Sequence, residues 1–66
     1  MLHEYDVVIL KQLTPEVPLP QGTRGTILIV YSDNPETYEV EFVDDGGESL
    51  GTYTVQGIDL DLVRDG

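Results

Sequence analysis

Turn-forming residues recur along this chain at short intervals and leave little room for a long helix. Pro15, Pro18 and Pro20 fall within six positions, and proline has no backbone N–H to donate inside a sheet. Two further segments, 33–36 and 44–47, hold Asp, Asn, Pro and Gly in orders typical of tight turns. The segments between the turns are rich in Val, Ile, Thr and Tyr, which favours β-strands. The sequence therefore predicts an all-β fold.

Five short strands are predicted, over 5–11, 26–31, 37–43, 48–55 and 61–64, with a single 3₁₀ turn over 57–60. The run of apolar residues in the first strand predicts burial on both of its sides. The third strand alternates, which predicts that Tyr38, Val40 and Phe42 face the core. Near the end of the chain, the alternating inner set is Ile58, Leu60 and Leu62.

The order of these elements is that of a small five-stranded SH3-like barrel, and the 66 residues make one domain. Its first loop, over 12–21, is long and rich in proline, and Val17 and Leu19 are expected to attach it to the core. Bends or bulges are predicted at Gly22, Gly25 and Gly51. Gly22, Gly25 and Gly46 are predicted to be irreplaceable for backbone reasons.

The charge of the chain excludes several classes of function. Thirteen Asp and Glu against three Lys and Arg give a formal net charge of −10, which argues against nucleic acids and anionic membranes as partners.

The sequence has no Cys, so disulfides, thiolate nucleophiles and Cys-based zinc sites are impossible. No signal peptide or transmembrane span is recognisable. A cytoplasmic protein is therefore expected.

Residues for catalysis are scarce. His3 is the sole histidine and lies near the start of the chain, and neither Ser32 nor Ser49 has a neighbouring base in the sequence. The acidic residues could hold Ca²⁺ or Mg²⁺ through their oxygens, but no dedicated ligand spacing is visible. We expect no enzyme activity, no cofactor and no metal site.

The candidate partner-binding surface is acidic and lies on the outer face of the third strand and in the turn that follows it. Its residues are Glu39, Glu41, Asp44, Asp45 and Glu48. Such a surface could simply be solvated. It could instead steer a basic protein partner into contact, as an antitoxin or immunity protein does with a nuclease. Apolar docking is then expected at an exposed strand edge or at the loop that carries Val17 and Leu19.

An aromatic groove is a further possibility for an all-β domain of this kind. Exposed tyrosines beside the first loop could bind an extended proline-rich peptide. The aromatic residues on predicted strands are Tyr5, Tyr31, Tyr38, Phe42 and Tyr53. Against a groove, Tyr38 and Phe42 are expected on the buried face of their strand.

Two stretches of the chain carry a resemblance to known proteins. Leu19–Ile27, with its Gly-Thr-x-Gly-Thr step, and Tyr38–Asp44 resemble an uncharacterised family of small bacterial domains, over about residues 5–62. The resemblance implies an SH3-like fold, and that family has no established activity that could be carried over to this chain. Residues 22–42 are also similar to the SH3-like domain of the nitrile hydratase β subunit, a structural partner of a metal-bearing subunit. This second likeness implies the alternative of a structural accessory or self-associating domain, with homo-oligomers possible.

Overall fold

The computed structural model describes residues 1–64, which form one antiparallel sheet of five strands. The strands are β1 (Val7–Leu10), β2 (Arg24–Asp33), β3 (Glu36–Val43), β4 (Ser49–Gln56) and β5 (Leu60–Leu62), and a 3₁₀ turn over Gly57–Asp59 precedes β5. Their order in the sheet is β4-β3-β2-β1-β5. The all-β class, the five strands and the 3₁₀ turn are confirmed. The barrel is not closed, because β4 and β5 form the two edges of the sheet and do not pair within the described residues.

The first strand is shorter than predicted and only one of its faces is buried. β1 begins at Val7, since Tyr5 lies in a turn with a φ of 71°. Val8 and Leu10 are buried, whereas Val7 is 37% exposed. The prediction of burial on both sides is wrong because a single layer of sheet has only one face turned toward the core.

The last strand also departs from its prediction. β5 begins one residue earlier and ends at Leu62. Leu60 pairs with Leu10 and is buried, as predicted. Ile58 was expected on the same inner face, but it is 70% exposed. It belongs to the 3₁₀ turn, where the two-residue repeat of a strand does not apply.

The core lies on the inner face of the sheet. Its nine buried residues come from every strand and from the first loop: Val8, Leu10, Val17, Ile27, Tyr38, Val40, Phe42, Val55 and Leu60. The predicted inner face of β3 is confirmed by this set. Leu19 packs half-buried against the core, and Val17 is buried, so both attach the loop as expected. The rings of Phe42 and Tyr53 pack with their centroids 6.2 Å apart.

β2 is irregular where it pairs with β3. Ile27 lies opposite Val40 and Ile29 lies opposite Glu39, so Leu28 has no counterpart on β3. The pairing shifts again at Tyr31, between Val30 and Ser32. Such bulges bend a strand and increase its twist, so they curl the sheet around the core.

Glycine is required where backbone and side chains approach closely or where φ is positive. A Cβ at Gly25 would lie 2.7 Å from Val40 Cγ1, so β2 and β3 could not keep their present packing. Gly22 and Gly51 have φ values of 91° and 124°, in keeping with the predicted bends. The requirement predicted at Gly46 is wrong. Gly47 has the positive φ in that turn, at 83°, and a Cβ at Gly46 would meet only Asp44 Oδ1, at 3.4 Å.

Candidate partner-binding surface

Glu39 lies on the outer face of β3 and is held there by its neighbours. Its Oε1 accepts a hydrogen bond from Thr54 Oγ1 at 2.8 Å and one from the Tyr31 hydroxyl at 3.2 Å. Desolvation, followed by the charge of Glu39, raises the pKa of Tyr31 above its usual 10.0. One oxygen of Glu39 is therefore engaged within the sheet, and the other is available to a partner.

Glu41 has the same orientation but a different environment. It lies opposite Thr26 on β2 and Thr52 on β4, so its flanking residues on the outer face are uncharged. Within residues 1–64 its carboxylate receives no side-chain hydrogen bond. Of the two carboxylates on the outer face of β3, that of Glu41 has more free hydrogen-bond acceptors.

Asp44 belongs to the turn between β3 and β4 and stabilises it. Its Oδ1 accepts hydrogen bonds from the backbone N–H groups of Gly46, at 2.9 Å, and Glu48, at 3.0 Å. Its own N–H donates to the Glu48 carbonyl at 2.9 Å. Asp45 is exposed and has no comparable role in these contacts. The sequence grouped these acidic residues by charge, and the structure gives Asp44 a structural function as well.

A cation lies at the turn end of the predicted acidic surface. A shallow groove of about 420 Å³ brings Arg24 together with Asp44, Asp45 and Leu50. No Arg24 nitrogen comes within ion-pair distance of either carboxylate. The predicted surface therefore consists of two parts, Glu39 and Glu41 on the sheet and a turn whose charge is partly offset by Arg24.

The remaining candidate residues have local structural contacts. His3 is exposed and its Nδ1 lies 3.7 Å from Asp6 Oδ2, the only approach of a His, Lys or Arg nitrogen to a carboxylate within ion-pair distance in residues 1–64. The Ser32 hydroxyl donates to the Pro35 carbonyl, while Ser49 Oγ accepts a hydrogen bond from Gly51 N at 3.3 Å. In the same part of the chain, no group of three or more His, Asp or Glu side chains is arranged to hold a metal ion.

A second pocket, which the sequence did not reveal, lies between the first loop and the end of β4. Its volume is about 250 Å³ and its lining residues are Thr14, Glu16, Thr37, Thr54, Val55, Gln56 and Asp59. The Thr14 hydroxyl donates to the Glu16 carboxylate, and this bond, with the backbone N–H of Glu16, lowers the pKa of Glu16. Asp59 Oδ1 accepts from Gln12 Nε2 at 2.7 Å. The path of a loop with little regular pairing could not be predicted from local sequence.

The tyrosine groove considered from the sequence does not form around this pocket. None of its lining residues is aromatic. Tyr38 and Phe42 are fully buried, and Tyr5 and Tyr31 are exposed elsewhere. The aromatic residues therefore serve the core or stand on other parts of the surface.

The two docking positions expected from the sequence differ in availability. In the first loop, Val17 is only 1% exposed and cannot contact a partner while the core is intact, whereas Leu19 is half-buried and keeps part of its surface exposed. The edge of the sheet along β4 is accessible, and most of its eight residues are exposed. No residue of β4 is charged and none is proline, and this neutral run of eight residues is visible in the sequence.

Comparisons with known proteins show the family and nothing beyond it. No curated protein and no solved structure matches the chain at a significant level, so the likeness to the nitrile hydratase β subunit stays a prediction. Within residues 1–64, no helix is long and apolar enough to cross a membrane. The family model described as "Domain of unknown function (DUF4926)" matches residues 4–61, which include both stretches that carried the resemblance. This match covers most of the sequence, and the chain belongs to the DUF4926 family of domains of unknown function.

Proposed function

We propose that this chain is a non-enzymatic protein-interaction module whose acidic surface binds a basic protein partner. The observation that supports the proposal is the unneutralised charge. The chain has thirteen acidic residues against three Lys and Arg, and within residues 1–64 no Lys or Arg nitrogen lies within ion-pair distance of a carboxylate. The resulting field attracts basic surfaces and raises the rate of encounter. An antitoxin or immunity protein uses its surface in this way against a basic nuclease.

The individual carboxylates have different roles in this proposal. Glu41 on the sheet and Asp45 and Glu48 in the turn contact the partner, because their side chains have no structural role in the described contacts. Glu39 contributes its free oxygen. Asp44 contributes charge while it stabilises the turn. We therefore expect the partner to lie over the outer face of β3.

The test is a measurement of association rate with a partner identified from a lysate of the native host. The double charge reversal Glu39→Lys with Glu41→Lys slows association by roughly tenfold at low salt, and added salt reduces the difference. The control is Glu4→Lys with Asp61→Lys, which changes the net charge equally at two residues outside β3. Equal rates for the two double variants would remove the β3 carboxylates from the interface.

The proposal also includes an SH3-like barrel fold and a location in the bacterial cytoplasm. The strand order, with a 3₁₀ turn before the last strand, supports an SH3-like barrel whose first loop carries Pro15, Pro18 and Pro20. The absence of Cys from the sequence suits the reducing cytoplasm of a bacterium.

A second candidate function is that of an accessory or self-associating domain. It is favoured by apolar side chains on the outer face of β1 and β2, where Val7, Ile29 and Tyr31 are 37%, 45% and 53% exposed. An apolar interface persists at high salt, whereas an acidic one weakens. A partner captured equally well at low and high salt would favour this second function.

A further inference from the structure

We propose that the free edge of β4 receives an extended segment of the partner as an added strand, with cationic side chains at both ends of that segment. The inference rests on the proposed function for the basic character of the partner. The contact surface is a different one, because strand addition uses the backbone of β4 and not the carboxylates of β3.

The backbone of β4 is paired on one side only. β3 lies on that side, and no strand lies on the other. Within residues 1–64, no backbone hydrogen bond from a loop or turn reaches β4. Every second residue of an edge strand directs its N–H and C=O away from the sheet. β4 therefore offers a row of unpaired groups to an incoming strand.

The usual protections of an edge strand are missing from most of β4. Edge strands avoid pairing through charges, proline, bulges or very short length. β5 has two of these features, because it is three residues long and carries Asp61 at its centre. β4 has eight residues without charge or proline, and its one irregularity, at Leu50, affects only its beginning. Residues 52–56 form a regular, unprotected edge.

Charge defines the occupant, because β4 is neutral while both of its ends are acidic. Asp45 and Glu48 lie in the turn before the strand and outnumber Arg24, which lies beside that turn. Glu16 and Asp59 line the pocket beside the last residues of the strand. Two copies pairing antiparallel along β4 would bring these acidic ends together and repel each other. A segment with a neutral, β-branched centre and Lys or Arg at its ends complements the edge.

The experiment is amide hydrogen exchange, followed by NMR on the full chain, with and without a synthetic probe. The probe is the peptide Lys-Lys-Val-Thr-Val-Thr-Lys-Lys. In the free protein, alternate amides of residues 52–56 exchange fast. On addition of the probe we expect these same amides to slow by roughly tenfold or more, because each gains a hydrogen-bond partner. This alternating pattern distinguishes strand addition from contact with side chains.

Two synthetic variants of the chain provide a matched pair. N-methylation of the backbone at Tyr53 or at Thr54 removes one donor, and successive N–H groups of a strand point in opposite directions. One variant loses a bond to β3 and is destabilised. The other remains folded, because its N–H faces the free edge, and its affinity for the probe falls roughly tenfold.

Each other outcome overturns a stated part of the inference. Shifts confined to Glu39 and Glu41, without new protection in β4, would refute strand addition and leave the acidic surface in place. Equal protection by a probe with Glu at its ends would refute the cationic occupant. Protection without any probe, together with a dimeric mass, would make the occupant a second copy. An absence of all effects would refute strand addition, while the association rates still test the proposed function separately.

Discussion

Along β3, neighbouring side chains enter opposite environments. Tyr38, Val40 and Phe42 have no exposed surface, whereas Glu39 and Glu41 stand between them on the outer face. The inner residues are constrained by close packing on all sides. The outer residues are constrained only by solvent, by a few hydrogen bonds and by whatever binds there. Folding and partner binding can therefore be altered separately through residues that are adjacent in sequence.

The two faces of β3 should differ most in the free energy of unfolding that is lost when a side chain is truncated, and a buried ring should show the largest loss. Phe42→Ala removes a fully buried side chain and should cost about 3–5 kcal/mol in the free energy of unfolding. Since a domain of this size has a total stability of roughly 3–5 kcal/mol, the variant should be largely unfolded in circular dichroism. Glu41→Ala should change the unfolding free energy by less than about 0.5 kcal/mol. Similar urea midpoints for the two variants would contradict this contrast.

A smaller effect should follow from adding one methyl group between β2 and β3. Gly25→Ala places a Cβ 2.7 Å from Val40 Cγ1 and 3.0 Å from the Glu41 carbonyl. Overpacking of this kind costs about 1–3 kcal/mol. Gly46→Ala is the matched control, because its Cβ meets only Asp44 Oδ1 at an ordinary distance. Thermal unfolding of the two variants measures the difference, and a lower midpoint for Gly46→Ala than for Gly25→Ala would be inconsistent with the packing described.

The turn after β3 allows the same comparison among carboxylates. Asp44→Ala removes the acceptor of two backbone N–H groups and should lower the free energy of unfolding by about 1–2 kcal/mol. Asp45→Ala removes an equal charge without those bonds and should have an effect within about 0.5 kcal/mol. Urea denaturation of both proteins measures the two values. Equal losses would show that charge, and not the turn, sets the stability of this segment.

The smallest effect on stability concerns the Tyr38 hydroxyl, the one polar side-chain group among the nine buried core residues. The Tyr38 hydroxyl accepts a hydrogen bond from Leu2 N at 3.1 Å and donates to the Glu36 carboxylate. Tyr38→Phe should therefore cost about 1 kcal/mol. Burial, followed by the hydrogen bond to Glu36, raises the pKa of Tyr38 above 10.0 in the folded state.

Because the pKa of Tyr38 is raised by folding, the stability of Tyr38→Phe should depend on pH less steeply than that of the parent protein. The neutral form of Tyr38 is favoured by folding, so its contribution is fully present below pH 10 and is lost as the pH rises through the folded-state pKa. Urea unfolding between about pH 8 and about pH 11 should show falling stability in the parent and a shallower fall in Tyr38→Phe. A residual slope is expected from Tyr31, whose pKa is also raised. Identical slopes would mean that the Tyr38 hydroxyl is not linked to folding.

The sequence predicted best the parts of the fold that depend on local periodicity. The alternation in β3 assigned both of its faces, because the extra residues at the irregular pairings lie in β2 and β4, and β3 itself keeps the two-residue repeat of a strand. The same logic failed for Ile58, which lies in a 3₁₀ turn. It could not have found that Ile29 is exposed, since a bulge is defined by the partner strand and leaves no local pattern.

The candidate site was predictable only as a set of charges. The sequence showed that Glu39 and Glu41 share a face. It did not show that Asp44 binds its own turn, that Arg24 lies beside the turn, or that the loop places Glu16 near the end of β4. The positions of Arg24 and Glu16 depend on contacts between segments distant in sequence, whereas the bonds of Asp44 are local and depend on the exact conformation of the turn.

The two irregularities of β2 first shift the alternation of its side chains by one residue and then shift it back. Leu28 adds one residue to β2 relative to β3, which exchanges inside and outside, and Tyr31 adds another, which restores the original phase. Loss of either residue alone would remove one bulge, while every other residue of β2 kept its partner on β3 and its face of the sheet. Single-residue deletions at Leu28 or Tyr31 should therefore spare the pattern of burial and act on the curvature of the sheet around the core.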